Sequence, residues 1–318
     1  MASIKKLISS FFDEEETASE IKVIPTGLDL LDEIIGGGIP TPSIVEIFGS
    51  ESTGKTALAI NLAGRYQANN KKGVLFIDAE KTFNTKFANL LGLDTDKNFK
   101  YIKNSELEKI FEFLKALAKD NNEIGFVIID SLASLIPQEE LATDFTKETQ
   151  MALKAKKLAR VLRNLVALNK DMIIVIINHI IDNPNSMYAG KTTPGGRALK
   201  FYSSLRLQTK LSAKSKDGLH INVYVAKNKT AQPFKETTLK LDFNSGFDEA
   251  FNYYEYLNAS GDIVRGRGEI DGTKFFGYEA FKKLFSQPQY KKAIIKLVSE
   301  KKKKGGKKWI NLYCLMMF

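Results

Sequence analysis

The chain predicts an α/β fold: a doubly wound, mostly parallel sheet with an antiparallel extension, flanked by a short N-terminal helix and a small C-terminal α+β lobe. Three observations carry this. Short continuous apolar runs, Val74-Leu75-Phe76-Ile77, Phe126-Val127-Ile128-Ile129 and residues 172–178, alternate with segments of helical apolar spacing at 106–119 and 149–168. Strands that are apolar throughout are buried on both faces, as in parallel sheets covered by helices. A glycine-bearing turn at residues 49–56 joins one apolar run, Ser43-Ile44-Val45-Glu46-Ile47-Phe48, to a helix. From residue 199 onward strands follow in quick succession, at 204–209, 221–227 and 237–242, as antiparallel neighbours do.

Taken in order, residues 4–16 have helical spacing at Leu7, Ile8, Phe11 and Phe12, then an acidic run from Asp13 to Glu16. So short a helix needs a partner to dock on. Residues 20–24 read as an edge strand, and 26–35 as a helix stopped by Gly36-Gly37-Gly38. Past residue 247 the composition shifts toward Gly, Tyr and Lys, and a helix over 289–299 closes the chain's last lobe. The expected organisation is therefore an N-terminal arm (1–20), an α/β core (21–246), a small lobe (247–300) and a disordered tail, basic then apolar (301–318).

Composition excludes several classes. No apolar stretch approaches the length of a membrane span, and the first residues lack a secretory signal's long apolar core. One cysteine, Cys314, and two histidines argue against a disulfide framework or a zinc cluster, so the cytoplasm is the expected compartment. The net charge of +10 lies wholly in residues 274–318, which hold twelve lysines and two glutamates; the remainder is neutral. A basic segment on a neutral core points to nucleic acid.

Residues 49–56 read Gly49-Ser50-Glu51-Ser52-Thr53-Gly54-Lys55-Thr56. The two glycines let successive amides face one anion, and the following helix adds the positive end of its dipole. Such a loop binds a nucleoside triphosphate, with Lys55 reaching the β- and γ-phosphates and the Thr56 hydroxyl on Mg²⁺. Asp130, ending an apolar strand, suits a carboxylate that holds Mg²⁺ through water. Glu80, just past another strand, suits the base that orients and deprotonates an attacking water; by position alone a surface glutamate fits equally.

Five segments together resemble the RecA family of recombinases. They are Glu46 to Thr56, then Phe76-Ile77-Asp78-Ala79-Glu80, Val127 to Leu135, Pro194 to Leu207, and Val225-Ala226-Lys227-Asn228-Lys229-Thr230-Ala231-Gln232-Pro233-Phe234-Lys235. The resemblance covers about residues 22–245. It implies an ATP-dependent, Mg²⁺-requiring protein that forms a helical filament on single-stranded DNA and pairs it with homologous duplex DNA. It makes Glu80 the catalytic glutamate and puts Asn84 and Phe87 at the adenine. Lys227 and Lys229 match the lysines that reach a neighbouring protomer's γ-phosphate. DNA-binding loops are implied at 138–148 and 180–194, with Met187 and Tyr188 as base-stacking side chains. Lys191, Gly195, Gly196 and a helix bearing Arg197, Lys200 and Arg206 would hold backbone phosphates.

The chain departs from the bacterial pattern at His179, where a γ-phosphate-sensing Gln is usual; the Asn178-His179 pair resembles phage UvsX recombinases. The N-terminal arm is short. The ending, Lys301-Lys302-Lys303-Lys304 and onward to Phe318, replaces an acidic tail, and reads either as a duplex-capturing arm or as a frame-shifted end. Two other classes share the core. A recombination mediator without strand exchange is opposed by the intact Glu80, Lys227 and Lys229. A hexameric motor would be expected to carry a zinc-finger cluster or an extra domain.

Overall fold

The computed structural model describes residues 21–120, 123–142, 147–182 and 191–304. At its centre is a nine-stranded sheet. Six strands run parallel: β3 (Ser43–Gly49), β4 (Gly73–Asp78), β5 (Phe99–Ile102), β6 (Ile124–Asp130), β7 (Ile173–His179) and β10 (Leu205–Ser215). Three more, β11 (Gly218–Asn228), β12 (Glu236–Asp242) and β13 (Gly246–Phe247), extend it antiparallel. The spatial order is β13-β12-β11-β10-β3-β7-β6-β4-β5.

Every residue of β3, β4 and β6 is buried, which is why they read as unbroken apolar runs. One face packs on α1 (Asp29–Ile35) and α2 (Lys55–Asn69), through side chains such as Leu31, Leu58 and Leu62 against Val45, Phe76 and Ile128. The other packs on α4 (Leu107–Asp120) and α6 (Lys147–Leu168), through Phe111, Leu114, Leu158 and Leu162 against Ile44, Ile77 and Ile129. The sheet is thus doubly wound, as the sequence predicts. Between these elements lie α3 (Thr85–Leu90) and α5 (Gln138–Ala142).

After β13, α8 (Glu249–Ala259), the hairpin β14 (Arg267–Ile270) and β15 (Thr273–Phe276), α9 (Gly277–Phe285) and α10 (Pro288–Lys304) surround their own apolar cluster. Asp248 ties this group to the sheet. Its carboxylate caps α8 at Phe251 N–H and accepts from Tyr278 and Lys282, while its own N–H bonds the Lys240 carbonyl of β12.

Some elements differ from expectation. Helix α1 starts at Asp29, because Thr26 is held in a turn: its N–H donates to both Asp32 carboxylate oxygens, at 2.9 and 3.1 Å. The strand at Val23–Ile24 (β1) pairs only with Ile39–Pro40 (β2), outside the main sheet. Strand β5 has no counterpart in the sequence reading, since Lys100 and Tyr101 break its apolar pattern, as edge strands tolerate. Helix α10 runs on through Lys304, so the first four lysines of the expected disordered tail are helical. Lysines at a helix C-terminus complement its dipole, and Lys301 also pairs with Asp262 at 2.8 Å. The expected N-terminal helix at 4–16 and the tail from 305 on lie outside the described residues. No helix among the described residues is long and apolar enough to cross a membrane.

Candidate functional site

The carboxyl ends of β3, β4, β6 and β7 bring the candidate residues together. Parallel register sets Gly49 beside His179, and Asp78 beside Asp130. In open α/β sheets this edge is where ligands sit.

Two glycines shape the loop from β3 to α2. A Cβ on Gly49 would meet the Thr209 carbonyl oxygen at 2.4 Å; Gly54, at φ +78°, leaves no room beside Ile221. The Thr53 hydroxyl donates to Ser50 O and pairs with Thr209 Oγ1, so it braces the loop against β10. Helix α2 begins with no side-chain cap and no acidic residue in its first turn, leaving its amides to an anion. Ser50, Glu51 and Ser52 form the turn, with Ser52 at φ 56°.

Lys55 donates from Nζ to Ser50 O at 2.7 Å. Burial lowers its pKa, against the opposing charges of Asp130, Glu80 and Glu51. The Thr56 hydroxyl donates to Asp130 Oδ2 at 2.7 Å, so the two expected Mg²⁺ contacts are already adjacent. These are hard oxygen donors. Among the described residues no cluster of three His, Cys, Asp or Glu could hold a metal alone.

Burial raises the Asp130 carboxyl from 3.8 to about 6; the neighbouring Glu80 and Asp78 charges add to this, against the Thr56 bond and Lys55. A carboxyl whose pKa is raised by folding binds its proton more tightly when native. Stability therefore falls as pH rises from 3.8 through about 6. Asp130→Asn should then raise the metal-free stability by about 1–3 kcal/mol at pH 7.5, and the gain should shrink steadily below pH 6. Urea unfolding in EDTA at pH 7.5 and 5 measures both; a gain of equal size at the two pH values would contradict it.

Glu80 follows β4, and its N–H donates to Asp130 O at 3.2 Å. Its Oε1 accepts from the Ser131 hydroxyl at 2.5 Å and lies 3.0 Å from His179 Nε2. Burial opposes its ionisation, but the Ser131 and His179 bonds and the nearby Lys55 outweigh this and hold it below the usual carboxylate range. Asn84 and Phe87 lie at the start of α3, where the Asn84 side chain caps the Phe87 N–H at 3.0 Å.

Lys227 and Lys229 are not brought to this loop. Lys227 lies on β11 opposite Arg206, at the level of Glu46 and not of Gly49, and β10 stands between β11 and β3. Its Nζ donates to the Lys200 and Phe201 carbonyls, both at 2.8 Å, at the end of α7 (Gly196–Tyr202). Burial and the charges of Lys229 and Arg206 lower its pKa. Lys229 is exposed.

Of the expected DNA contacts, Lys191 and Arg197 are exposed, and Gly195 and Gly196 take φ +91° and +68° at the start of α7. Lys200 donates to Thr192 Oγ1 at 2.8 Å. Residues Ile181–Asp182 (β8) and Lys191–Thr192 (β9) pair as a two-rung ladder at the base of the second loop. Met187, Tyr188 and the middle of the first loop, 143–146, lie outside the described residues. Arg206 is a correction. It sits in β10 and not on the helix, which ends at Tyr202, and its Nε donates to Glu46 Oε2.

Glu46 itself escaped the sequence reading. It is 0% exposed, and Asn178 Nδ2 also donates to it at 3.0 Å. Asn178 bonds the Pro194 carbonyl at 3.0 Å and accepts the His179 N–H. A lone acid in the apolar run 43–48 was the available signal, because a buried charge needs a partner. Asp78 and Ser131, both beside Glu80, also escaped.

The RecA N-terminal domain profile matches residues 5–248. Protein RecA of Mycoplasma genitalium is 36% identical over 247 residues, 74% of this chain and 71% of the relative. That of Mycoplasma pneumoniae is 35% identical over 246 residues, 74% and 72% of the two chains. That of Francisella tularensis subsp. novicida is 37% identical over 244 residues, 73% and 66%. With a family profile spanning most of its length and such relatives along nearly three quarters of it, the chain belongs to the RecA family.

Proposed function

We propose that this chain is a DNA-dependent ATPase that forms helical filaments on single-stranded DNA, pairs it with homologous duplex DNA and exchanges strands. The observation that carries the reading is a continuous hydrogen-bonded path. It runs from Glu80 to His179, from the His179 N–H to Asn178, and from Asn178 to the Pro194 carbonyl, at the base of the second loop. The carboxylate read as the catalytic base is thereby joined to the segment expected to hold DNA, which would let one site sense the other.

In this reading the amides of residues 50–56 bind the phosphates, and Lys55 turns from Ser50 O to the γ-phosphate. Thr56 and, through water, Asp130 hold Mg²⁺, which when bound neutralises charge on the phosphate oxygens. Glu80, ionised at neutral pH, orients the attacking water and takes its proton. Asn84 and Phe87 contact adenine. Lys227 and Lys229, remote from their own loop, reach the γ-phosphate of the next protomer. Lys191, Arg197, Lys200 and the glycine amides hold DNA phosphates without reading sequence.

ATP turnover with and without single-stranded DNA, in wild type and Lys227→Ala, tests this. Stimulation by DNA is expected, and the variant should lose about 10³-fold of the stimulated rate, as when a cation supplied in trans is removed. Turnover indifferent to DNA would sink the recombinase reading in favour of a mediator.

A further inference from the structure

The segment from Asp78 to Phe87 carries both the proposed catalytic base and the proposed adenine contacts, and its shape is set by one buried carboxylate. Asp78 is 1% exposed. Its Oδ1 accepts the N–H groups of Lys81 and Thr82, at 2.7 and 3.3 Å. Its Oδ2 accepts the Phe83 N–H at 3.0 Å and the Tyr101 hydroxyl, reaching in from the edge strand β5, at 2.9 Å. Three consecutive amides are thus gathered onto one side chain. Lys81 is bent into the left-handed region, φ 63°, which a lysine adopts only when its surroundings impose it.

The Phe83 ring completes the clamp, with centroids 4.6 Å from Phe76, 5.6 Å from Phe99 and 5.3 Å from Tyr101. On the near side of the turn, Glu80 is fixed through its N–H on Asp130 O; on the far side, one residue past Phe83, Asn84 begins α3. The Asp78 carboxylate and the Phe83 ring on Phe76 of β4 are what link the two sides, and of these only the carboxylate is hydrogen-bonded to the turn's amides.

We propose that Asp78 is a positioning residue, oriented by Tyr101, that holds the adenine-contacting end of this loop in fixed relation to Glu80. Its role is positional: it is 1% exposed, and both oxygens are taken up by the loop amides and Tyr101. The inference rests on reading Asn84 and Phe87 as the base contacts. It goes further in assigning nucleobase recognition to a side chain that cannot reach the base.

The test uses the full chain and two ligands: ADP, which carries the base, and inorganic tripolyphosphate, which does not. Asp78→Asn turns one acceptor oxygen into a donor facing N–H groups, and should weaken ADP binding about tenfold or more. At pH 8, where Asp130 is ionised with or without the Asp78 charge, tripolyphosphate binding, which uses residues 50–56, should stay within about twofold, since those residues share no bond with Asp78. Turnover should fall along with ADP affinity. Tyr101→Phe, at a residue 44% exposed, removes one bond with little risk to folding and should weaken ADP about threefold in the same selective way. If Asp78→Asn does not fold, this variant alone decides. Equal weakening of both ligands, or no change in either, overturns the proposal. Failure of the functional reading is separately visible, as wild-type chain that binds ADP but does not respond to DNA.

Discussion

Replacing Glu80 by glutamine is expected to lower ATP turnover by about 10²–10⁴-fold while leaving nucleotide binding intact. Glutamine keeps the size of the side chain and an oxygen for the Ser131 hydroxyl, but it cannot accept a proton from water. Binding should survive because the phosphate-facing groups, Lys55 and the start of α2, do not depend on Glu80 for position: Lys55 is held by Ser50 O, and α2 by the two glycine turns. Removing the carboxylate also removes a charge that raises the Asp130 pKa, which favours the ionised form that suits a cation. Glu80 lies below the usual carboxylate range, so it is not the group that limits activity at mild acid pH. Asp130 is. The profile of kcat/KM should therefore fall as pH drops through about 6, where Asp130 takes up its proton. Turnover and nucleotide titration of Glu80→Gln, with a pH series on wild type, test both points; turnover within about tenfold of wild type would remove Glu80 as the base.

Arg206→Ala is expected to destabilise the fold by about 3–5 kcal/mol. Glu46 is wholly buried in the middle of the sheet, and among the described residues Arg206 is the cation in direct contact with it, Lys200 and Lys227 acting on it only from further off. Truncating the arginine leaves that carboxylate with the Asn178 amide alone. It also removes the guanidinium stacked 4.5 Å over the Phe48 ring, next to the phosphate loop. Replacing both partners, as Glu46→Gln with Arg206→Met, should recover most of the loss, because a buried pair contributes far less than its broken half costs. Urea unfolding of the two single variants and the double variant closes the cycle. An additive double variant would show that the pair is not coupled. The same cycle separates this role from DNA binding. A phosphate contact would appear instead as a shallower salt dependence of DNA affinity at unchanged stability.

The phosphate loop, the Asp130 strand end and the alternation of buried strands with helices were legible in residue order alone. Each is a local device: a glycine at a positive φ, an apolar run of strand length, a helix whose first amides face an anion. Their meaning is complete within about ten contiguous residues, and burial on both faces of a parallel sheet writes itself into composition. Glu80 was legible only because its flanking residues resemble a family; by position alone it was one surface glutamate among many.

Tertiary structure decided what depends on register between distant strands. Glu46 and Arg206 are 160 residues apart, yet parallel pairing of β3 with β10 sets them side by side. That gave a residue read as a phosphate contact a buried acid as its partner. Asp78 meets Tyr101 because β4 and β5 are neighbours, and Asn178 meets Pro194 because the chain returns from the second loop to the end of β7. Lys227 finds the carbonyls of α7 in the same manner. A buried polar group must find its partner somewhere in the fold, so sequence alone announces the need for one. Which residue answers is settled by strand order, and strand order is a property of the whole packed sheet.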